Sequence, residues 1–208
     1  MEALLSYFPD ITPLQRSRFE ALKPLYEEWN QQINVVSRKD IDQLYLHHVL
    51  HSLALCKVLP VQEGTRILDL GTGGGFPGIP LAIFYPQARF LLVDSIGKKL
   101  KVAQAVASSL GLDNVEITHC RAEEVNEKFQ FVVSRAVARL PEIAGWVKGK
   151  FAKQPGQKVA NGIFCLKGGN LEEETAPFPG RVTEIAISDY FKEEYFLTKK
   201  IIYLTMQG

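Results

Sequence analysis

The sequence predicts an α/β fold built on a mostly parallel sheet, and three observations carry that expectation. From Thr65 onward, short apolar runs alternate with helix-length stretches, the pattern of strands joined by crossover helices. The first of these runs ends in a cluster of glycines. There a chain turns from strand to helix and leaves its backbone open to a ligand. The last two runs follow one another with no obvious helix between them, so an antiparallel hairpin is expected to close the sheet.

The elements follow in order. Residues 1–60 read as helical. Thr12, Pro13 and Gln15 form an N-cap, a first-turn proline and a capping-box partner. Leu22, Leu25, Tyr26, Trp29 and Ile33 then recur at spacings of three and four, an apolar face that must dock on something, with a kink expected at Pro24. A second helix is expected from about Asp40 to Leu59, stopping at Pro60. Strands are expected at 66–70, 89–94, 115–120, 130–134, 162–167, 181–187 and 199–205, and helices at 78–85, 97–110 and 140–151. Nothing reads as a linker or repeat, so residues 1–62 are expected to pack as a helical extension on a main domain of residues 63–208.

Composition narrows the class. Lys and Arg total 24 against 23 Asp and Glu, so any nucleic-acid surface must be a local patch rather than a global charge. Cys56, Cys120 and Cys165 are odd in number, far apart and set in apolar runs; buried free thiols in a reducing compartment are expected. No stretch reaches a membrane-spanning length, and the N-terminus has no basic leader region. A soluble cytoplasmic protein is the expectation.

The glycine cluster carries the chemistry. Asp69-x-Gly71-x-Gly73-x-Gly75 is similar to the first motif of S-adenosylmethionine (SAM)-dependent methyltransferases. The same letters match a dinucleotide fingerprint, Gly73-x-Gly75-x-x-Gly78. Against that rival, Asp69 repels a pyrophosphate but suits the cationic methionine end of SAM. Pro77 and Pro80 also remove backbone donors that a pyrophosphate needs. The Gly73 position is expected to be closed to a branched side chain.

Other strand ends supply candidates. Asp94 ends the second strand 23 positions after Gly71, near the separation at which a carboxylate meets ribose hydroxyls; a helix N-cap beside Ser95 is the plainer alternative. Ala122 and Glu123 follow the third strand, where a backbone N–H and a carboxylate suit adenine, though a solvated Glu123–Glu124 pair reads as well. Ser134-Arg135-Ala136 ends the fourth. It has neither the Asn/Asp-Pro-Pro signature of amine methylation nor the thiolate of pyrimidine C5 methylation. An arginine there suits an acceptor such as guanine N7, whose lone pair needs positioning and no deprotonation. Arg121, Arg135, Lys167 and Lys199 are expected to converge on one basic rim, with Arg139 and Lys200 nearby. His47, His48 and His51 share a helix face but lack further ligands at metal spacing, so a packed histidine face is expected and no metal.

Longer motifs resemble one family over nearly the whole chain. They are Trp29-Asn30 with Asn34, Ser37-Arg38-Lys39-Asp40, His48-x-x-x-Ser52, the run from Asp69 to Leu81, Asp94-Ser95 with Lys99, Arg121-Ala122-Glu123, Ser134-Arg135-Ala136 and Leu166-Lys167-Gly168. Together they resemble the ribosomal small-subunit methyltransferase G family, also called the glucose-inhibited division protein B family. The resemblance implies a class I SAM-dependent methyltransferase: a Rossmann-like α/β fold, seven strands mostly parallel with an antiparallel C-terminal strand, and an N-terminal helical extension. It implies N7-methylation of one guanine in a loop of 16S ribosomal RNA, acting on free RNA or on a small ribosomal subunit at some stage of assembly, by a monomer. A class I methyltransferase acting on a small molecule or a protein stays open beside it.

Carried over by position, SAM contacts fall on Gly71, Phe76, Ala122, Glu123 and Arg135, beside Asp69, Gly73, Gly75 and Asp94 from the motif reading. Arg135 and Lys167 are the expected catalytic positions. Arg121, Arg139, Lys167, Lys199 and Lys200 are the expected RNA contacts. Three departures stand out: His51 where the family usually has Asp, Val36 where Asn-x-Thr is common, and Lys199 where Arg is typical. A lysine keeps the charge but loses the planar fork.

Overall fold

The computed structural model describes residues 1–37, 39–152 and 159–206; Arg38 of the noted motif lies outside them. A seven-stranded sheet organises the chain in the order β3-β2-β1-β4-β5-β7-β6. Its strands are β1 (Arg66–Leu70), β2 (Arg89–Asp94), β3 (Val115–His119), β4 (Phe131–Arg135), β5 (Gly162–Gly168), β6 (Val182–Ala186) and β7 (Lys199–Thr205). The first five run parallel. β7 enters antiparallel between β5 and β6, so the closing pair is not a tight hairpin: residues 187–198 loop out before β7 returns. The central strands β1 and β4 are buried along nearly their whole length, as strands covered on both faces must be.

Each face has its own cover. Helices α1 (Glu2–Tyr7), α2 (Pro13–Asn30), α4 (Gly78–Phe84) and α5 (Gly97–Ser109) share one core with the sheet. Helices α6 (Leu140–Trp146) and α7 (Glu172–Thr175) lie with the residues around 122–129 on the other face. The capping box of α2 forms as expected, with Gln15 N–H donating to Thr12 Oγ1 at 3.2 Å and Thr12 N–H to Gln15 Oε1 at 2.8 Å. Phe19, Leu22 and Tyr26 bury the apolar face of α2 in the first core, and the helix continues through Pro24. α5 closes at Gly111, whose φ of +60° is the left-handed C-terminal turn. Among the described residues no helix is long and apolar enough to cross a membrane.

Three expectations change. α6 ends at Trp146 instead of 151. The chain turns at Gly149, φ +75°, so that the backbone of 150–152 bonds residue 129 beside β4; sheet pairing takes the groups a longer helix would have used. The stretch from 41 to 57 is not one α-helix. It runs as a 3-10 turn (Ile41–Gln43), a π-helical stretch (Leu44–Leu50), one α turn, α3 (His51–Leu53), and a 3-10 turn (Ala54–Lys57). Such departures from α-geometry release individual carbonyls to other donors. Among the thiols, only Cys165 is buried outright; Cys56 and Cys120 are partly exposed, Cys120 because β3 ends there beside an open cavity.

Candidate active site

The glycine loop is held from both sides. Asp69 is fully buried at the end of β1, and its Oδ2 accepts from Thr72 Oγ1 at 2.6 Å and from the Gly78 N–H at 2.7 Å. One carboxylate oxygen thus ties the loop's start to the first residue of α4. The other, Oδ1, is buried with no donor. Asp94 accepts from the Gly73 N–H and the Ile96 N–H, both at 2.8 Å, so it ties the loop to the residue that caps α5. From the N-terminal layer, the Tyr26 hydroxyl donates to the Gly74 carbonyl at 2.7 Å, and its ring stacks on Phe76.

Burial pushes the Asp69 carboxyl up to about 7 from its ordinary 3.8, against the hydrogen bonds from Thr72 and Gly78 that favour the ionised form. A carboxyl whose folded pKa is raised costs stability as the pH rises from its unfolded to its folded value. The apo protein should therefore lose about 4 kcal/mol between pH 4 and pH 7 through this group. Asp69→Asn should remove that slope, because the amide oxygen still accepts from Thr72 and Gly78 and carries no charge. Urea unfolding of both proteins at pH 5 and pH 8 measures it: the stability of the variant relative to wild type should rise with pH.

Beside the loop, at the carboxyl ends of β1, β2 and β3, lies a cavity of about 290 Å³. Gly71, Asp94, Ala122, Glu123, Arg121 and Trp146 are among its lining residues. Gly71 has φ +69°, and a Cβ there would meet Val137 Cγ2 at 2.3 Å, so only glycine fits. Asp69, Gly73, Gly75 and Phe76 are not among the lining residues, Asp69 because it is fully buried beneath the strand end and holds Thr72 and Gly78 instead. A Cβ on Gly73 would meet only Lys99 Cδ at 3.9 Å, which corrects the expectation of a closed position; on Gly75 it would strike Ile79 Cδ1 at 2.4 Å. Gly75 and Phe76 serve the packing of α4 and Tyr26. SAM fits this set. Gly71, Asp94 and Trp146 line the opening, and buried Asp69 holds the loop through Thr72 and Gly78 while its Oδ1 has no donor among the described residues.

A second cavity, about 550 Å³, opens at the carboxyl ends of β4 and β5. Ala136, held at φ +54°, lines both. Arg135 enters this second cavity, not the first. Its guanidinium donates to the His47 carbonyl at 3.3 Å, meets His48 Nδ1 at 3.0 Å and lies 5.1 Å from the Phe76 ring. The donors expected to serve a ligand are thus partly committed to the N-terminal segment. The irregular turns of 41–57 make this possible, since the His47 carbonyl also accepts from the Tyr195 hydroxyl at 3.4 Å.

The histidines form one wall of the cavity. His47 stacks on Tyr195 with centroids 4.1 Å apart and meets Asp40 at 2.9 Å. Burial, then the positive charge of Arg135, pushes both His48 and His51 down to about 3. Both imidazoles are therefore neutral at physiological pH. Neutral His48 accepts at Nδ1 from Arg135, and His51 Nδ1 lies 3.3 Å from the Tyr195 hydroxyl. No three His, Cys, Asp or Glu side chains group as a metal site among the described residues.

The expected basic rim divides. Arg135, Lys167 and Lys199 line the second cavity, but Arg121 lines the first, because β3 stands on the far side of β1 from β5. Lys199 lies 5.0 Å from the Tyr195 ring. Strand alternation turns Lys200 to the other face, where it pairs with Glu184 at 2.9 Å and lies outside both cavities. Arg139 pairs with Glu173 at 3.1 Å on the surface. Lys167 Nζ is engaged by the Ala138 carbonyl at 2.8 Å and by Glu174 Oε2 at 2.5 Å. Trp146, Val137, Glu174 and Tyr195 were not legible as site residues. Glu174 stands in an acidic run that reads as solvated surface, and the others border the cavities only once distant segments meet.

A larger opening, about 840 Å³, lies at the amino ends of β1, β2 and β3 between Arg18, Arg66 and Arg89. Sheets of this kind bind ligands at the carboxyl ends, where the strand order reverses. Here that reversal falls between β1 and β4, above which the two smaller cavities meet.

A sheet of this order, with a glycine loop after β1, an acid closing β2 and its openings at the carboxyl ends, defines a class I methyltransferase. A family model, GidB: rRNA small subunit methyltransferase G, matches residues 15–194, and the chain belongs to that family. It is 55% identical over 206 residues to the ribosomal RNA small subunit methyltransferase G of Porphyromonas gingivalis, covering 99% of this chain and 93% of that one. It is 54% identical over 208 residues to the protein of the same name from Christiangramia forsetii, covering 100% and 98%. Solved structures share the fold. They include an rRNA methylase from Streptococcus thermophilus (TM-score 0.51, 13% identity, covering 76% of this chain and 95% of that one). A precorrin-6y C5,15-methyltransferase from Geobacter metallireducens is another (TM-score 0.54, 12% identity, covering 84% and 92%).

Proposed function

We propose that this chain transfers the methyl group of SAM to N7 of one guanine in small-subunit ribosomal RNA. The observation that supports it best is that Ala136 lines two neighbouring cavities, one beside Gly71 and Asp94 that suits a cofactor, the other walled by His47, His51, Arg135 and Tyr195. A splayed-out base stacks on aromatic walls of this kind. The cofactor supplies an electrophilic methyl on a cationic sulfur. The protein's own work is to hold the base so that the N7 lone pair lies in line with it.

N7 carries no proton, so no group need accept one. The guanine becomes cationic on methylation, and the neutral His48 and His51 fit that change better than imidazolium would. Asp69, Gly71, Asp94, Ala122, Glu123 and Trp146 serve the cofactor in this reading. Arg135 positions the N-terminal wall, and Lys199, Arg121 and Arg139 are the candidates for RNA phosphate. Residues 1–62 act as an extension that completes the base cavity. Free rRNA, or a small subunit during or after assembly, is the substrate, and the chain acts as a monomer in the cytoplasm.

Mapping the modified nucleotide after incubation with SAM and unmodified small-subunit RNA tests the reading. One N7-methylguanine is expected; methylation of another atom, or transfer to a free small-molecule acceptor alone, sinks it. Because the net charge is only +1 and two of the three cations lining the second cavity, Arg135 and Lys167, are engaged by other protein groups, RNA binding should be modest and salt-dependent through counterion release. Lys199→Ala should weaken binding several-fold and lower the slope of log K against log salt by about one. An unchanged slope would remove Lys199 from the phosphate contacts.

A further inference from the structure

Guanine and adenine both carry an N7 lone pair, so methyl transfer to N7 does not by itself distinguish them. Something in the base cavity must. The two purines differ on the Watson–Crick edge: guanine presents an acceptor, O6, beside a donor, N1–H, and adenine presents a donor, N6–H, beside an acceptor, N1. A site that reads this difference needs a donor fixed beside an acceptor, both largely dry yet within reach.

The cavity holds one such pair, at the end of β5 and on α7. Lys167 and Glu174 both line it, with side chains 13% and 18% exposed. An ammonium has three N–H donors, and Lys167 Nζ gives two, to the Ala138 carbonyl at 2.8 Å and to Glu174 Oε2 at 2.5 Å. Glu174 Oε2 also accepts from the Leu140 N–H at 2.8 Å. Glu174 Oε1 accepts from no described residue, and it is not among the buried atoms left without a partner. The pair is therefore pinned by three hydrogen bonds and has one donor and one acceptor left over. Burial opposes ionisation of Glu174, but the bonds from Lys167 and the Leu140 N–H outweigh it and hold its carboxyl below the ordinary value. Its spare oxygen is thus an acceptor only.

We propose that Lys167 and Glu174 read the Watson–Crick edge of the target base, Lys167 Nζ donating to guanine O6 and Glu174 Oε1 accepting from guanine N1–H. The inference rests on the N7-methylation reading and names what selects the base. In adenine both contacts invert, with an amino group facing an ammonium and a ring lone pair facing a carboxylate. Sites built on buried hydrogen bonds reject such mismatches by about 10³-fold or more. The simpler role for the pair, fastening α7 to the sheet, predicts no effect of base identity.

The test uses small-subunit RNA carrying guanosine, inosine, 1-methylguanosine or adenosine at the target position, with methyl transfer from labelled SAM as the readout. Inosine keeps O6 and N1–H and should react within several-fold of guanosine. 1-Methylguanosine and adenosine should fall at least about 100-fold. Glu174→Gln, which still accepts from the Leu140 N–H, should slow the guanosine RNA at least tenfold and shrink the guanosine-to-adenosine ratio. Equal transfer to guanosine and 1-methylguanosine by the wild-type protein would overturn the inference without needing any variant. So would a Glu174→Gln loss of equal proportion on every RNA. No transfer to guanosine RNA at all would instead overturn the N7 reading, and the base-reading pair with it.

Discussion

Gly71→Val should lower SAM affinity by more than about 100-fold while leaving the sheet folded. The residue sits at φ +69° on the wall of the cofactor cavity, and a Cβ there would lie 2.3 Å from Val137 Cγ2. A β-branched residue in the left-handed region costs about 1–2 kcal/mol before any collision, and overpacking adds about 1–3 kcal/mol. Gly73→Val is the control. Its φ of +58° imposes a similar backbone cost, but a Cβ there meets only Lys99 Cδ at 3.9 Å, and the position does not line the cavity. Calorimetric titration with SAM, beside circular dichroism, compares the two. Equal losses of affinity would mean that loop strain, not occlusion of a cofactor, is being measured, and the cradle beside Gly71 would be wrong. In the wild-type protein, affinity for the cationic cofactor should also rise with pH through about 7, as the Asp69 carboxyl that holds Thr72 and Gly78 ionises.

Arg135→Ala should slow methyl transfer by about 10²–10³-fold in single turnovers, with a smaller change in SAM affinity. The guanidinium joins the end of β4 to the His47 carbonyl and to His48, and lies over Phe76. Losing it frees the histidine wall from the sheet, and misplacement of a reactant by about 1 Å costs on the order of 10²-fold. Thermal stability should fall as well, because the bonds of a charged donor are lost from a partly buried site. Arg135→Lys should recover only part of the rate, since an ammonium on a flexible stem does not reproduce the planar fork. At saturating SAM, which favours the ionised Asp69 carboxyl, the pH profile of the chemical step should stay flat between about pH 6 and 9, because His48 and His51 sit near 3. A limb in that range, assigned to a protein side chain in the chemical step, would point to an acceptor that must lose a proton.

How far the site could be read in advance depended on how local its parts are. The glycine loop was legible because Asp69, Gly71 and Gly78 lie within ten residues and act through backbone geometry. Asp94 was legible by its position at the end of β2; it takes two backbone N–H groups and lines the cavity, while the N-cap of α5 is Ile96 and not Asp94. The basic rim was not legible. Residue type identifies Lys167, Lys200 and Arg139 as cations, but their neighbours Glu174, Glu184 and Glu173 decide whether those charges are free. The histidines read in sequence only as a packed helix face. Their place in the cavity depends on Arg135, 84 positions beyond His51 in the chain.

By itself, the sequence determined the succession of strands and helices along the chain, the mostly parallel sheet they build and the glycine turn that follows β1. Buried parallel strands are continuous apolar runs, and a left-handed turn leaves its mark in glycine. Only the tertiary structure decided where the second cavity stands and which charges face it. That cavity is assembled from the turns around 40–51, the ends of β4 and β5, α7 and the approach to β7. A side chain's charge is a property of one residue. Its availability, its pKa and its partner are set by burial and by neighbours that are far away along the chain, and no local pattern carries those.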